Sequence, residues 1–361
     1  MWDSGAWPGG KAPRRIWVPN PRITICLRLR RRTQRESALG STEKPGPDYT
    51  YDRTQFPAFN HFYIPTDEND TEIAFEPILR TTPTAFIHLA ESLKKNFAAV
   101  KSTASMPFRI ASANHSRRLF HQLFMAEKIR TLKPEFDAKS EEDKTAIARD
   151  AARKKFNELM GSEDRRYEGG LAILRDLESL LDEEEMKLAA AELIRQSEAL
   201  TWGTLEVLAN DLFIALLNKK PQLTDTLLKD ERTKKRFQVK DIALLLSTYS
   251  YNLSDHMGDV FGGLVKIDDV ETFRAIYDVL MPSDSELLML LRGSELWKLN
   301  QRRNLILHRR SVVDEMYIRN TGDTLPLGAE LFVPPRQLEH DLLLIFRIGA
   351  LMLKSLATYP V

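Results

Sequence analysis

The segment from about Glu184 to Asn218 constrains the fold of this 361-residue chain more than any other stretch. Its apolar residues recur at intervals of three or four, which is the spacing of one buried face of an α-helix. That stripe consists of Trp202, Leu205, Ala209, Leu212 and Leu216. Pro221 lies just past the end of the pattern, where a helix is expected to stop. The segment therefore predicts a long helix with one buried face.

The same periodicity predicts helices along most of the chain after Thr71. Residues 133–159 are rich in charged residues and alanine and indicate an exposed helix or a linker. Residues 318–335 carry Gly and Pro around two short apolar pieces and indicate a loop or a small hairpin. The other predicted helices cover about 86–97, 116–132, 240–249, 254–265, 269–280, 284–310 and 336–357, with Ser283 or Asp284 as the cap of the sixth. No internal repeat is found, and the pattern predicts an all-α fold.

Proline and glycine positions suggest three parts. Residues 1–60 are interrupted by seven prolines and carry five arginines between positions 28 and 35, so we interpret them as a disordered basic tail. The alternatives for this tail are an RNA-binding arm or a targeting peptide. Glycines at 161, 169 and 170 favour a boundary between 160 and 185. The expected parts are therefore the tail, a helical accessory region at 61–180 and a helical bundle at 185–358.

Composition excludes several classes of protein. The net charge of +1 gives no global attraction to nucleic acid, so any binding of phosphate must come from a local patch. A single cysteine, Cys26, excludes a disulfide framework and a cysteine-rich zinc site, and it fits a reducing cytoplasm. We find no uninterrupted apolar run long enough for a bilayer and no signal-peptide block at the start, so we expect a cytoplasmic protein without a membrane segment. The histidines lack metal-ligand spacing and no Gly-rich phosphate loop is present, so no metal or cofactor is expected.

The stretch 301–310 brings Arg, a polar residue and His together amid apolar helix positions. On a helix, Asn304 and His308 are four residues apart and share a face. Arg303 lies beside Asn304, and its side chain is long enough for the guanidinium to meet the imidazole. An imidazole that titrates near neutrality, beside a guanidinium that grips phosphate, is a workable site for cleaving RNA. The neighbouring Arg302, Arg309 and Arg310 are predicted to add positive charge for RNA binding.

Acidic side chains upstream are candidate partners of this motif. Glu206 is the best of them, because an unpaired carboxylate within the apolar stretch 205–208 would be costly. Pairing with Arg303 or His308 would remove that cost, and the alternative is that Glu206 lies at the helix edge and faces water. Weaker candidates are Glu198 and Asp211. Three further features are interpreted as structural or coincidental, namely Asp314 as a helix-end residue, 339–341 as a solvated helix start, and the second Arg–His spacing at Arg109 and His115.

Residues 303–315, RNLILHRRSVVDE, resemble the signature of HEPN domains and are most similar to the branch labelled RiboL-PSP-HEPN. The segment 198–213 resembles the leading long helix of that family, which carries acidic residues that face the motif. The resemblance covers roughly 185–358. It implies a metal-independent endonuclease for single-stranded RNA that acts as a homodimer, in a toxin or phage-defence setting with an antitoxin or a regulatory protein.

The resemblance also implies roles for individual residues. Arg303 would bind the scissile phosphate, Asn304 would orient the pair, and His308 would act as general base or acid, with Glu206 as a further catalytic candidate. The alternative that the sequence leaves open is a catalytically inactive HEPN-like module that binds RNA or a protein.

Overall fold

A computed structural model describes residues 51–65, 70–237, 246–282 and 284–358 of the chain. Five features predicted from the sequence fall wholly or largely outside these residues. They are the first fifty residues of the tail, its arginine cluster, Cys26, most of the helix near 240–249, and Ser283 as a cap.

The described residues form α-helices and short 3-10 turns, and the predicted all-α fold is confirmed. An isolated antiparallel β-bridge joins Val312 and Glu330. The α-helices are α1 Ala58–His61, α2 Thr71–Thr81, α3 Ile87–Ala104, α4 Met106–Arg130, α5 Glu141–Gly161, α6 Glu163–Leu180, α7 Glu184–Lys219, α8 Leu223–Lys229, α9 Glu231–Lys234, α10 Met257–Leu264, α11 Val270–Leu280, α12 Ser285–Arg292, α13 Ser294–Arg309, α14 Glu315–Thr321 and α15 Pro335–Ser355.

The chain divides into two compact units. One holds residues Arg109–Ile173, and the other holds the described residues before and after that stretch. The predicted accessory region 61–180 is therefore corrected, because α2 and α3 belong to the same unit as α7. The physical reason is the apolar stripe of α3, whose Leu89, Leu93 and Phe97 are buried in one core with the α7 residues.

Within the smaller unit, α5 is a helix with a buried face, whereas an exposed helix or a linker was expected for 133–159. Its Ala148, Ala152 and Phe156 are buried. The ring of Phe156 meets that of Phe120 on α4 with centroids 6.1 Å apart. Small alanines at helical spacing supply part of the buried face, and they are easily missed when only large apolar residues are counted.

Helix α7 is the centre of the larger unit and contacts α3, α10, α13 and α15. Its predicted stripe is buried, from Trp202 to Leu216. Contact with α10 is close enough that a Cβ atom on Gly258 would lie 1.9 Å from the carbonyl oxygen of Ile214. Gly262 and Gly263 also lie inside α10. Glycine lets the two helix backbones approach, and this fixes the start of the segment that follows α10.

Among the helices of the described residues, α7 alone meets the length and composition test for crossing a membrane, although no uninterrupted apolar run of that length was found in the sequence. The rest of the protein covers 56% of its most apolar window. Core helices of soluble proteins meet the same test, so the feature is weak evidence for a membrane segment.

The predicted helix at 284–310 is two helices, because the chain is extended at Gly293 (φ −63°, ψ 150°). The side chain of Arg274 donates hydrogen bonds to the carbonyls of Leu291 and Gly293 at the break. At the other end of α12, Asp284 accepts from the Leu287 amide at 2.9 Å, which confirms it as a cap. The break makes α13 a separate helix that carries the whole motif 301–309.

Candidate functional site

Arg303 projects from α13 toward α7. Its Nη1 donates to Oδ1 of Asn304 at 3.0 Å, and its Nη2 donates to Oε2 of Glu206 at 3.4 Å. The side chains of Arg303 and Glu206 are 19% and 30% exposed, so the pair lies at the edge of the core with access to solvent. The predicted pairing of Glu206 with Arg303 is present, and it brings α7 and α13 together at the motif.

The carboxyl of Glu206 has a raised pKa. Partial burial of the side chain is the largest cause, and it outweighs the neighbouring guanidinium of Arg303, which lowers the pKa. Asp268 raises it further, and Lys266 lowers it. Glu206 is therefore protonated at a higher pH than an exposed glutamate, while it still lies within reach of a cation.

A chain of side-chain amides orients Asn304. Its Nδ2 donates to Oδ1 of Asn300 at 3.4 Å, and that oxygen also accepts from Nε2 of Gln301 at 3.5 Å. Asn320 on α14 donates in turn to Oε1 of Gln301 at 2.9 Å. With its amide nitrogen engaged, Asn304 presents its oxygen to Arg303. The sequence analysis missed Asn300, although a polar residue one turn before Asn304 on a buried helix face was a usable signal.

His308 lies one turn after Asn304, near the end of α13, and its side chain is exposed. It forms no hydrogen bond with any residue in the described part of the chain. The expectation that the Arg303 guanidinium meets this imidazole is corrected, because Arg303 bonds to Glu206 and Asn304 instead. The imidazole faces solvent.

Two further arginines follow the imidazole. Nε of Arg309 lies 3.4 Å from Oδ2 of Asp314, and both side chains are well exposed. Asp314 also caps α14 by accepting from the Tyr317 amide, which confirms it as a helix-end residue. Arg310 ends α13 in the left-handed conformation (φ 50°) and is exposed. Both cations are accessible at the end of the motif.

The prediction that Arg302 binds RNA is corrected, because its side chain is buried and bonded to two carboxyl groups. Its Nε donates to Oε1 of Glu198 at 2.7 Å, and its Nη2 donates to Oδ2 of Asp341 at 2.6 Å. All three side chains are buried, and both carboxylates are fully covered. Nε and Nη2 of Arg302 are engaged by two fully covered carboxyl groups, so the guanidinium joins α7, α13 and α15.

This buried cluster contains two carboxyl groups and one guanidinium. Burial raises the pKa of Glu198 to about 8, the charge of Asp341 adds to that rise, and Arg302 opposes it. Together, the two carboxyl groups therefore retain a proton to higher pH than exposed carboxyl groups do. The reading of 339–341 as a solvated helix start is also corrected, because Asp341 is fully buried while the neighbouring His340 is exposed.

The described ranges contain no group of three His, Cys, Asp or Glu side chains arranged to hold a metal ion. Comparisons with protein-family models, with curated proteins and with solved structures found no match to this chain.

Proposed function

We propose that this protein is a metal-independent RNA endonuclease of the HEPN type. The observation that carries the proposal is the arrangement on α13. The partly exposed guanidinium of Arg303 is held by Asn304 and Glu206, and the exposed imidazole of His308 follows on the same helix. A phosphate-binding fork and an imidazole that can accept or donate a proton are two parts that RNA cleavage can use.

The chemistry uses the nucleophile of the RNA itself. His308, neutral, accepts the proton of a ribose 2′-hydroxyl, and the resulting oxygen attacks the adjacent phosphorus. Arg303 stabilises the charge that develops on the phosphoryl oxygens. The bond from phosphorus to the 5′-oxygen then breaks, and that oxygen takes a proton. Water supplies that proton, while Glu206 holds the Arg303 fork in place at 3.4 Å. The products are a 2′,3′-cyclic phosphate and a 5′-hydroxyl, and DNA is not cleaved.

The proposed substrate is single-stranded RNA in the cytoplasm. Arg309 and Arg310 support this proposal, since both are exposed at the end of the helix that carries His308. A homodimer through the larger unit, and control by an antitoxin or another regulatory protein, complete the proposal on the basis of the resemblance alone.

The test is cleavage of end-labelled single-stranded RNA in EDTA. Wild-type protein is expected to give fragments that end in cyclic phosphate, and both Arg303→Ala and His308→Ala are expected to lose about 10²-fold or more in rate. His121→Ala is the matched control, because it removes an exposed histidine from the smaller unit. Thermal unfolding of each variant verifies that the fold is intact. Activity that survives in both motif variants would show that another site cleaves the RNA.

A non-catalytic module that binds RNA or a partner protein is the second candidate. The observation in its favour is that Arg303 is already paired with Glu206, while His308 has no orienting partner among the described residues. Such a module would bind RNA with strong dependence on salt and would produce no fragments under any condition. The cleavage assay and a binding assay at several salt concentrations therefore separate the two candidates.

A further inference from the structure

We propose that Lys266 is a second phosphate-binding side chain of this site, and that Asn210 positions it there. The inference rests on the proposed function in one respect, namely that the ligand is RNA. Lys266 lies outside the motif, in the segment 265–269 that joins α10 to α11.

The segment 265–269 is attached to α7 next to the Arg303–Glu206 pair. Asn210 lies one turn after Glu206 on α7, and its side chain forms two hydrogen bonds with the backbone of Ile267. Its Nδ2 donates to the carbonyl of Ile267 at 3.2 Å, and its Oδ1 accepts from the amide of Ile267 at 3.2 Å. The Asn210 side chain is itself fixed, because Nδ2 also donates to the carbonyl of Glu206 at 2.8 Å.

Two further contacts make this segment rigid. The side chain of Ile267 is 1% exposed and packs in the main core. Asp269 caps α11 by accepting from the Thr272 amide at 2.8 Å. On the other side of Lys266, the amide of Val265 donates to the carbonyl of Phe261 at 3.2 Å. The backbone of Lys266 therefore lies between two hydrogen-bonded residues, Val265 and Ile267, which hold it at this position on the surface.

Lys266 is exposed and forms no salt bridge with any residue that the structure describes. It nevertheless lies near enough to Glu206 to lower the pKa of that carboxyl. Glu206 thus has a guanidinium at 3.4 Å and an ammonium group nearby, on side chains from two different elements. Of these two cations, only Lys266 has no salt-bridge partner.

The positive charge of Lys266 would favour the binding of phosphate at this site. A phosphate that approaches Arg303 also approaches the carboxylate of Glu206, which repels it. Lys266 offsets that repulsion and provides a flexible point charge, whereas Arg303 provides the directional fork. An RNA strand carries a phosphate on every nucleotide, so one strand can engage Arg303 with one phosphate and Lys266 with another.

The test is the salt dependence of binding to a labelled single-stranded RNA, measured by fluorescence anisotropy. The full chain with His308→Ala serves as the background, so that cleavage does not interfere. Each phosphate contact contributes about 0.7 to the slope of log affinity against log salt for a single strand. Adding Lys266→Ala is expected to lower the slope by about that amount, and Lys266→Arg is expected to retain it.

The matched control is Lys219→Ala. Lys219 is also exposed, and it lies thirteen residues beyond Glu206 on α7, about 20 Å further along the helix axis. This variant is expected to leave the slope unchanged. An equal decrease in slope for Lys219→Ala and Lys266→Ala would overturn the inference and indicate a diffuse charge effect. An unchanged slope in both variants would also overturn it and indicate that Lys266 is a structural lysine.

The role of Asn210 is tested by a double-mutant cycle. Asn210→Ala is expected to lower the slope as Lys266→Ala does, and the double variant is expected to fall no further, because both remove one contact. Additive losses would show that Asn210 does not act through Lys266. Thermal unfolding monitors the stability of each variant. If Asn210→Ala unfolds, the Lys266 variants still test the phosphate contact, because Lys266 is exposed and its replacement should not disturb the fold.

This result and the cleavage assay are separable. Binding that depends on Lys266 without any cleavage would refute the nuclease and support the phosphate contact. Cleavage with a slope that ignores Lys266 would support the nuclease and refute the contact. Absence of RNA binding by every variant would refute both.

Discussion

Two consecutive arginines of α13 lie in opposite environments. Arg302 is buried between the carboxylates of Glu198 and Asp341 at 2.7 and 2.6 Å. Arg303 is partly exposed and lies 3.4 Å from Glu206. Successive residues on a helix are rotated by about 100°, so one arginine faces the core and the next faces the rim. The same residue type therefore joins three helices at one position and remains available for a ligand at the other.

The difference between these two environments indicates which of the two arginines can bind a ligand. A guanidinium whose donors are engaged by buried carboxylates cannot leave them without exposing uncompensated charge. A longer and partly solvated pair can be exchanged for a phosphate at small cost. The cluster around Arg302 thus holds the helices in place, and the site around Arg303 can change partners.

The largest effect is expected on stability. Arg302→Ala leaves two buried carboxyl groups without their cation and should lower the free energy of unfolding by about 3–5 kcal/mol. Arg303→Ala should lower it by about 1 kcal/mol or less, because its pair is partly solvated. Urea unfolding followed by circular dichroism measures both values.

A combined variant sharpens this contrast. Replacing the cluster together, by Arg302→Met with Glu198→Leu and Asp341→Leu, should recover most of the stability, since no buried charge remains. Equal losses for Arg302→Ala and Arg303→Ala would contradict the assignment of different roles.

The next effect is expected on activity. Arg303→Lys keeps the positive charge but loses the planar fork, so one charge-assisted hydrogen bond to the phosphate is lost. A loss of about 1.5–3 kcal/mol corresponds to a decrease of about 10- to 100-fold in kcat/KM for RNA cleavage. Arg309→Lys, at an exposed position with no fork role proposed, is the control and should change the rate little. Full activity in Arg303→Lys would indicate that the arginine acts only as a point charge.

Much of the fold followed from helical periodicity. The long helix expected at 184–218 is found at 184–219, because its stripe from Trp202 to Leu216 is buried as the spacing requires. A partner for Glu206 was also predicted, as Arg303 or His308, because a carboxylate in an apolar stretch is costly when unpaired, and in the structure the partner is Arg303. These features depend on local pattern and on the cost of burying charge.

The roles of the two arginines did not follow, and the reason is the distance along the chain. The carboxylates around Arg302 are 104 and 39 residues away in sequence. One local signal was nevertheless present, since Leu299, Arg302 and Ile306 are spaced three and four apart, which places Arg302 on the buried stripe. Lys266 had no such signal, because its position depends on the hydrogen bonds of Asn210 to a segment between helices.

The buried cluster should also give the stability a pH dependence. The pKa of Glu198 rises from its ordinary value of 4.5 to about 8 in the folded protein, chiefly because of burial. The folded state therefore holds a proton that the unfolded chain releases. This contribution to stability is fully present below pH 4.5 and is lost as the pH rises toward 8, with a slope of up to about 1.4 kcal/mol per pH unit.

Glu198→Gln tests that dependence, because glutamine cannot ionise but retains an acceptor for Arg302. Urea unfolding between pH 5 and 8 should show a flatter profile for this variant than for the wild type. Glu185→Gln removes an exposed carboxylate and should leave the profile unchanged. Parallel profiles for wild type and Glu198→Gln would place the titrating group elsewhere.

The smallest effect concerns Arg310, where stability and RNA binding should change in opposite directions. Its left-handed backbone (φ 50°) is unfavourable for a residue with a Cβ atom, and glycine relieves that strain. Arg310→Gly should therefore raise the free energy of unfolding by up to about 1 kcal/mol and should weaken RNA binding by removing a cation. Arg310→Asn, which also tolerates this conformation and also lacks the charge, should weaken binding to the same extent with a smaller gain in stability. Unchanged RNA affinity in both variants would assign Arg310 to the helix end alone and confine the phosphate contacts to the neighbourhood of Arg303.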